Sequence, residues 1–371
     1  MKLNRAGVLA GVLVAVAALA ACGSSGGSST NTSAAGGGSS SGSTSADCAT
    51  GSLTSDGSTA QQNAINAWIA AYTKKCSGAS VVYSGGGSGQ GVTDFTQGKV
   101  NFAGSDAALS PDKGEVTAAT KQCGSPAIDI PMVTGPVAVA FKLSGVTDLT
   151  LTPSLIAKIF TGKIKTWNDP ALKAENPNAN LPSTKITVFF RSDESGTTQN
   201  FEKYLNTVVP SDYPTTPSKV WAGTGQGKTG SQGVQQGITS TEGSIGYLEW
   251  SYAGSGGLSM AKVDNGGGAV ALTAETAGAA VAAATVASNG GDDLTLKLDY
   301  ATKAPGAYPI ILVTYEIVCT KYKDPAIGKR VKAFLTYTSS SEGQGLLTSV
   351  GSAPLPSSVL TKVQAVVAKI S

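Results

Sequence analysis

Not one histidine occurs among the 371 residues of this chain. That excludes catalytic triads that work through imidazole, and it removes the commonest ligand of zinc and related metals. Also missing is any block of basic residues. Twenty-seven lysines and arginines against 24 aspartates and glutamates leave a formal charge of only +3, which gives nucleic acid no electrostatic footprint. Cysteine is sparse as well, at five residues, yet they sit where an exported chain would use them.

The N-terminus supplies the reason to expect export. Lys2 and Arg5 precede an apolar run from Ala6 to Ala21, long enough for the core of a signal peptide and short for a membrane span. The run ends in Leu19-Ala20-Ala21-Cys22, which resembles a lipobox, so Met1–Ala21 reads as a lipoprotein signal and Cys22 as a lipidated mature N-terminus. One acyl chain holds a bilayer only marginally, whereas two or three give lasting attachment at the outer face of the membrane. The alternative is an ordinary cleaved signal with a chance cysteine, since such sites also favour small residues. From Gly23 to Ala46 the chain is almost entirely Gly, Ser, Thr and Ala, too poor in apolar surface to offset the entropy of ordering, and it reads as a tether ending near Asp47. With Cys22 set aside, Cys48, Cys76, Cys123 and Cys319 allow two disulfides in three connectivities. Cys48 with Cys76 is favoured, because one precedes the first strand and the other opens the second. That leaves Cys123 with Cys319, although sequence does not decide it.

Beyond position 47 lie about 324 residues, more than a single core usually supports, so two lobes are expected. Strand, glycine turn and helix alternate at the start. Ser52–Ser55 is a strand, Ile65, Trp68, Ile69 and Tyr72 have helical spacing, Ser80–Tyr83 is a strand, Gly85–Gly91 is a turn leading to a helix with Val92 and Phe95, and Val100–Ala103 is a strand ending near Asp106. This is an α/β pattern. Two long apolar segments, Ile128–Phe141 with Pro131, Gly135 and Pro136 inside it and Tyr308–Val318, suit a chain crossing between lobes. Lobe I is then 48–141 plus 312–371, and lobe II is 142–311. Within lobe II the strand Ile186–Phe190, a helix with Phe201, Tyr204, Leu205 and Val208, and an Ala-rich helix from Thr273 to about Ser288 are expected. Helical spacing returns at Ile327, Val331, Phe334 and Leu335 and at Val359, Val363, Val366 and Ile370.

Three places share one design, a strand followed by small or hydroxylated residues and then a helix: Ser58-Thr59-Ala60, Ser88-Gly89 and Ser195-Gly196-Thr197. Free N–H groups and partial positive charge at a helix start suit an anion, glycine permits close approach, and a hydroxyl adds a donor. Each alone reads equally as a plain N-cap; their number makes the case. Ahead of the third stands Arg191, whose guanidinium can grip two oxygens of a tetrahedral anion, with Asp193 two residues on to orient it.

These residues belong to stretches that together are highly specific: Leu53–Thr59, Val100–Asp106, Phe160–Pro170, Arg191–Thr197 and Gly243–Tyr247. Across essentially the whole region after the tether, the chain resembles the substrate-binding proteins of phosphate-specific ABC importers. The resemblance implies a two-lobed type II periplasmic-binding-protein fold, each lobe a mainly parallel sheet flanked by helices, with no enzymatic activity, no cofactor and no metal. It implies inorganic phosphate in the interlobe cleft, held by Thr59, the Ala60 backbone N–H, Ser88, Asp106, Arg191, Ser195, Gly196 and Thr197, and a monomer that partners an ABC permease and its ATPase. Arsenate, sulfate or molybdate binding, or a surface protein that has kept the fold, are the alternatives.

Asp106 has its own physical reading. Near neutral pH inorganic phosphate keeps a proton to donate to a carboxylate, whereas sulfate has none and meets bare repulsion, so the group selects by rejection. Arsenate carries a proton too and passes the same filter. Two residues depart from the family pattern. Ala60 stands where Phe is common, and Glu194 stands where Gly is frequent, adding negative charge beside the arginine.

Other motifs carry less. Ala222–Thr229 fits a relaxed P-loop, but no convincing buried strand precedes it and Gly230–Ile238 reads as a poor amphipathic helix. Ser110-Pro111-Asp112-Lys113 and Lys228-Thr229-Gly230 match elements of penicillin-interacting serine enzymes, yet the S-D-N element is missing. Ser110 reads better as an N-cap with Pro111 at the first helical position.

Overall fold

The computed structural model describes residues 48–282, 284–287 and 291–371. The signal run, Cys22 and the tether lie outside the described residues.

Nine strands form one mixed sheet. They are β1 (Gly51–Gly57), β2 (Ala79–Ser84), β3 (Phe102–Ser105), β4 (Ala127–Lys142), β5 (Thr187–Arg191), β6 (Gln226–Lys228), β7 (Ser244–Glu249), β8 (Ser259–Met260) and β9 (Ile311–Cys319), in the order β2-β1-β3-β9-β4-β7-β5-β6, with β8 also on β4. At one end β2, β1 and β3 are parallel; at the other β7, β5 and β6 are parallel. The helices that serve these ends are α1 (Gln62–Lys75), α2 (Ser88–Thr96), α3 (Glu115–Cys123), α4 (Pro153–Phe160), α5 (Pro170–Glu175), α6 (Gly196–Val208), α7 (Gly230–Ser240) and α8 (Trp250–Ser255).

The centre of the sheet is where the sequence reading needs amending. Ile128–Phe141 is expected only to cross between lobes, and the structure shows it as part of one strand, β4, which runs unbroken for 16 residues, about 50 Å at the usual rise per residue. It remains whole because it changes partner midway. Ala127–Pro136 pairs with β9, and Val137–Lys142 pairs with β7. Pro131 is accommodated at a register shift opposite Thr314 and Tyr315, where the ladder is already irregular and a missing N–H costs little. Each half therefore keeps its own parallel set of strands, and the two sets share strand β4 at the centre of one curled sheet.

Two hydrophobic cores flank this shared strand. One gathers Leu53, Trp68, Phe102, Ile130, Val313 and Phe334; the other gathers Val139, Phe160, Trp167, Phe201, Tyr247 and Tyr308. The second core draws on residues from Val137 to Leu312 with one outsider, Ala60, but Leu294 and Leu296 from within that span pack into the first core, so the chain touches the first half there before it returns to it at Val313. Two cores on a common sheet are the two lobes expected from the sequence.

Smaller differences have local causes. The Ala-rich helix spans Ala274–Ala282, because the β-branched pair Thr285–Val286 forms a hairpin with Leu296–Lys297. Ser288 lies outside the described residues. Ser110 and Pro111 open a turn, and α3 begins only at Glu115 after Gly114, whose φ of +71° suits glycine. Glu115 reaches back to accept from the Ser110 N–H at 2.7 Å. Gly230–Ser240 is a full helix that buries Val234 and Ile238, while Gly227 of the P-loop-like stretch lies in edge strand β6.

Disulfides join Cys48 to Cys76 and Cys123 to Cys319, with Cα separations of 5.2 and 5.5 Å. The second ties the end of α3 to the end of β9 across 196 residues, a long loop to close in the unfolded chain. Replacing Cys123 and Cys319 with alanine is expected to cost about 2–5 kcal/mol, read from the urea midpoint under oxidising conditions. A midpoint unchanged from wild type would mean that the crosslink constrains nothing.

Candidate functional site: a hydroxyl-lined cleft around Arg191 and Asp106

Each part of the site stands at the end of a sheet strand, where the chain turns into a helix. β1 ends at Gly57, whose Cβ, were there one, would lie 2.0 Å from the Gly104 carbonyl oxygen, so β1 and β3 pack backbone to backbone only because this residue is glycine. The close pairing sets Ser58, Thr59 and Ala60 beside the end of β3, where Asp106 follows Ser105. β2 leads through Gly87 (φ +98°) to Ser88 at the first turn of α2. β5 ends at Arg191 and leads to Ser195, which caps α6 by accepting from the Thr198 N–H at 3.2 Å.

All eight proposed binding residues are buried, and two hydrogen-bonded sets, one on Asp106 and one on Arg191, meet at Gly196. Ser58 donates to Asp106 Oδ2 at 2.6 Å, Ser88 donates to the same oxygen at 3.2 Å, and Thr314 of β9 donates to Oδ1 at 2.7 Å. The Ala60 N–H donates to Ser58 Oγ at 3.0 Å. Thr59 and Ser231 share a hydroxyl bond of 2.8 Å, and Arg191 Nη1 donates to Ser231 Oγ at 3.1 Å and, at 3.5 Å, to Thr197 Oγ1. Gly196 closes the circle, since a Cβ there would stand 2.6 Å from both Asp106 Cβ and Ser88 Oγ.

Arg191 and Asp193 form a fork-to-fork pair, Nε on Oδ1 at 2.8 Å and Nη2 on Oδ2. The Gly230 N–H steadies Asp193 at 2.9 Å. Burial works to discharge Arg191, but Asp193, with Glu249 and Tyr247 behind it, holds the guanidinium more firmly protonated than usual. Burial likewise works against the Asp193 charge, and Arg191 overrides it to keep that carboxyl below its ordinary range. The arginine is therefore a fixed, oriented cation.

Asp106 is the opposite case. Burial pushes its carboxyl up to about 6, the Ser58 hydroxyl opposes this, and the negative Glu249 adds to it. A carboxylate has roughly four acceptor positions. With three taken by Ser58, Ser88 and Thr314, about one is left for a further donor.

Several contributors were not found by sequence reasoning. Ser231, at the start of α7, belongs to a fourth strand-to-helix turn of the same design, Lys228-Thr229-Gly230-Ser231, which reads in sequence as part of an unrelated motif. Thr314 and Glu249 lie inside apolar strand patterns with no local mark of function. Tyr247 accepts from the Arg191 N–H at 3.2 Å and shares a 2.7 Å bond with Thr198. Glu194, by contrast, was singled out, and its side chain is exposed against Gly89, whose N–H donates to the Glu194 carbonyl at 3.0 Å. It adds its charge at the rim.

Contacts across the two halves are direct. Besides Gly89 with Glu194, Lys219 pairs with Glu115 at 3.3 Å with only 6% of the lysine side chain exposed, and the Tyr252 hydroxyl donates to the Thr59 carbonyl at 3.1 Å. Among the described residues no group of three or more His, Cys, Asp or Glu side chains is placed to hold a metal. None of the described helices is long and apolar enough to cross a membrane.

Comparisons with known proteins agree with this architecture. A family model described as a PBP superfamily domain matches residues 42–342. The phosphate-binding protein PstS2 of Mycobacterium bovis is 42% identical over 380 residues, covering all of both chains, and PstS 3 of Mycobacterium tuberculosis is 41% identical over 378 residues with the same coverage. Among solved structures, a human phosphate binding apolipoprotein superposes with a TM-score of 0.67 at 23% identity, covering 84% of this chain and 93% of that one. A phosphate-binding protein from Stenotrophomonas maltophilia gives 0.63 at 18% identity over 85% and 93%. These two likenesses concern the fold.

Proposed function

This chain belongs to the phosphate-binding proteins of the PBP superfamily, and from that membership we propose that it captures inorganic phosphate between its lobes and passes it to an ABC importer. The observation that carries the reading is the pairing of one buried, oriented guanidinium with one buried carboxylate that has about one acceptor position to spare. A tetrahedral anion bearing a proton satisfies both groups; one without a proton satisfies only the first.

Thr59, Ser88 and Asp106 act from lobe I (48–141 and 312–371), and Arg191, Ser195, Gly196 and Thr197 act from lobe II (142–311). Closure about the shared strand β4 and the return at 312 brings the two sets together, and the ligand stabilises the closed form by touching both. The Ala60 and Gly196 N–H groups and the hydroxyls of Thr59, Ser88, Ser195 and Thr197 donate to the anion as it displaces their bonds to one another. Binding and release require no covalent step and no cofactor, so the protein works as a monomeric carrier and not as an enzyme. Calorimetric titration with phosphate and then sulfate tests this: heat with phosphate and none with sulfate is expected, and the reverse order would end it.

Closure itself is testable at Gly196. Alanine suits a helix start, but with the lobes in contact as they are here its Cβ would stand 2.6 Å from Asp106 Cβ and Ser88 Oγ. Overpacking of this kind costs about 1–3 kcal/mol, so Gly196→Ala is expected to weaken phosphate binding by roughly 5- to 150-fold. A variant with undiminished affinity would mean that Asp106 and Gly196 do not approach in the bound form.

For location, the proposal is export followed by anchoring through lipidated Cys22, with the Gly/Ser-rich stretch as a tether to the outer face of the membrane. Cys22→Ala is expected to move the protein from the membrane fraction to the medium.

A further inference from the structure

Glu249 is the last residue of β7 and is 1% exposed. Its Oε1 lies 2.5 Å from Thr197 Oγ1, and its buried Oε2 has no hydrogen-bond partner among the described residues. An orphaned carboxylate oxygen at this depth is costly and asks for a purpose. Four ionisable groups surround it. Arg191 at the end of β5, Asp106 after β3 and Tyr252 on α8 interact with its charge, and Tyr247, two residues back on β7, interacts with Arg191. The arginine pairs with Asp193 and also acts on Asp106 and Glu249, so one cation faces three buried or half-buried carboxylates.

We infer that Glu249 and Thr197 form a proton switch that lets the site accept inorganic phosphate in either of its protonation states, an inference that rests on phosphate being the ligand. A hydroxyl has one proton and two lone pairs. With Glu249 ionised, Thr197 gives its proton to Oε1 and turns a lone pair to the ligand, which suits the second P–OH of the monoanion while the first goes to Asp106. With Glu249 protonated, the carboxyl O–H donates to Thr197 Oγ1 and the Thr197 proton turns to a ligand oxygen, which suits the dianion and its single P–OH on Asp106. The proton comes from solvent and ends on Glu249, and no bond to phosphorus changes. Setting a dianion beside a second buried carboxylate is unfavourable, and the captured proton removes that charge. Binding of the dianion therefore takes up one proton, and binding of the monoanion takes up none.

Titration of phosphate into the protein at about pH 8, where the dianion predominates, in two buffers of different ionisation enthalpy measures the protons taken up. Wild type is expected to take up close to one per phosphate, and Glu249→Gln close to none while still binding. Thr197→Val, which removes the relay hydroxyl, is expected to bind phosphate more weakly and, titrated to saturation, to lose the uptake per bound phosphate as well; if Glu249→Gln does not fold, uptake close to one per bound phosphate in this variant overturns the switch. Uptake near zero in wild type, or equal uptake in wild type and Glu249→Gln, overturns the switch, because the proton then sits elsewhere. No binding heat from wild type in either buffer would instead bring down the phosphate reading, and the switch with it.

Discussion

Arg191→Ala is expected to abolish useful phosphate binding. The guanidinium is 2% exposed and already oriented by two contacts to Asp193, so it meets an anion without prior rearrangement. Truncating one partner of a buried, hydrogen-bonded charge pair typically costs about 2–5 kcal/mol, which is roughly 30-fold to several thousand-fold in affinity. The upper part of that range applies here, because the truncation also frees Asp193 beside Glu249 and Asp106 and leaves three acidic groups facing an anion. Arg191→Lys keeps the charge but loses the planar fork, and is expected to recover only part of the loss. Titration calorimetry with phosphate on the three proteins checks this. If the lysine variant bound as tightly as wild type, two-pronged recognition would be the wrong description.

The second large effect concerns selectivity more than affinity. Asp106→Asn replaces an obligate acceptor with a side chain that can also donate, so sulfate no longer meets a buried negative charge. Sites built around a specific buried hydrogen bond reject ligands lacking it by as much as about 10⁴-fold. The variant is expected to lose about 10-fold in phosphate affinity while its preference for phosphate over sulfate falls by about 100-fold or more. Titrations with both anions giving the wild-type ratio would show that Asp106 is not the filter.

The same substitution carries a stability signature whose sign follows from burial. Asp106 has a folded pKa of about 6, raised from 3.8, so the folded state holds the proton more tightly than the unfolded chain. The associated stability is complete below about pH 4 and is lost as pH rises through about 6. Above that the ionised group costs the ligand-free protein on the order of 3 kcal/mol. In phosphate-free buffer at neutral pH, Asp106→Asn is therefore expected to melt no lower than wild type, and any advantage should shrink as pH falls toward 4. A marked loss of stability at neutral pH would mean that the bonds from Ser58, Ser88 and Thr314 outweigh the buried charge.

The parts of the site legible in sequence are those that one short segment specifies. A helix start needs only a few consecutive residues to display free N–H groups, and Ser58-Thr59-Ala60, Ser88-Gly89 and Ser195-Gly196-Thr197 each announce that geometry. Arg191 and Asp193 are two residues apart, so their pairing is likewise local. Ser231 offered the same kind of signal and was lost to a competing motif, because a Lys-Thr-Gly-Ser turn looks alike whether it serves an enzyme, a phosphate loop or a helix cap.

Thr314, Glu249 and Tyr247 were illegible for a different reason. Each sits in a β-strand among apolar neighbours, where a threonine, glutamate or tyrosine has many ordinary uses, and its partner stands 49 to 208 positions away. Strand β4 is a related case. Its composition shows a crossing but not whether the strand breaks, since continuity depends on β9 and β7 taking over from one another at Pro136 and Val137.

The chain alone thus determined the α/β alternation, three of the four helix starts and the identity of the cation and the acid. Those follow from backbone geometry and side-chain chemistry that act over a few residues. Only the tertiary structure decided that both cores hang on one shared strand, that three hydroxyls leave Asp106 about one free acceptor position, and that a second carboxylate lies behind Thr197. Contacts of that kind are made when distant segments are buried together, and burial is what raises the energy of an unpaired charge or oxygen enough to matter.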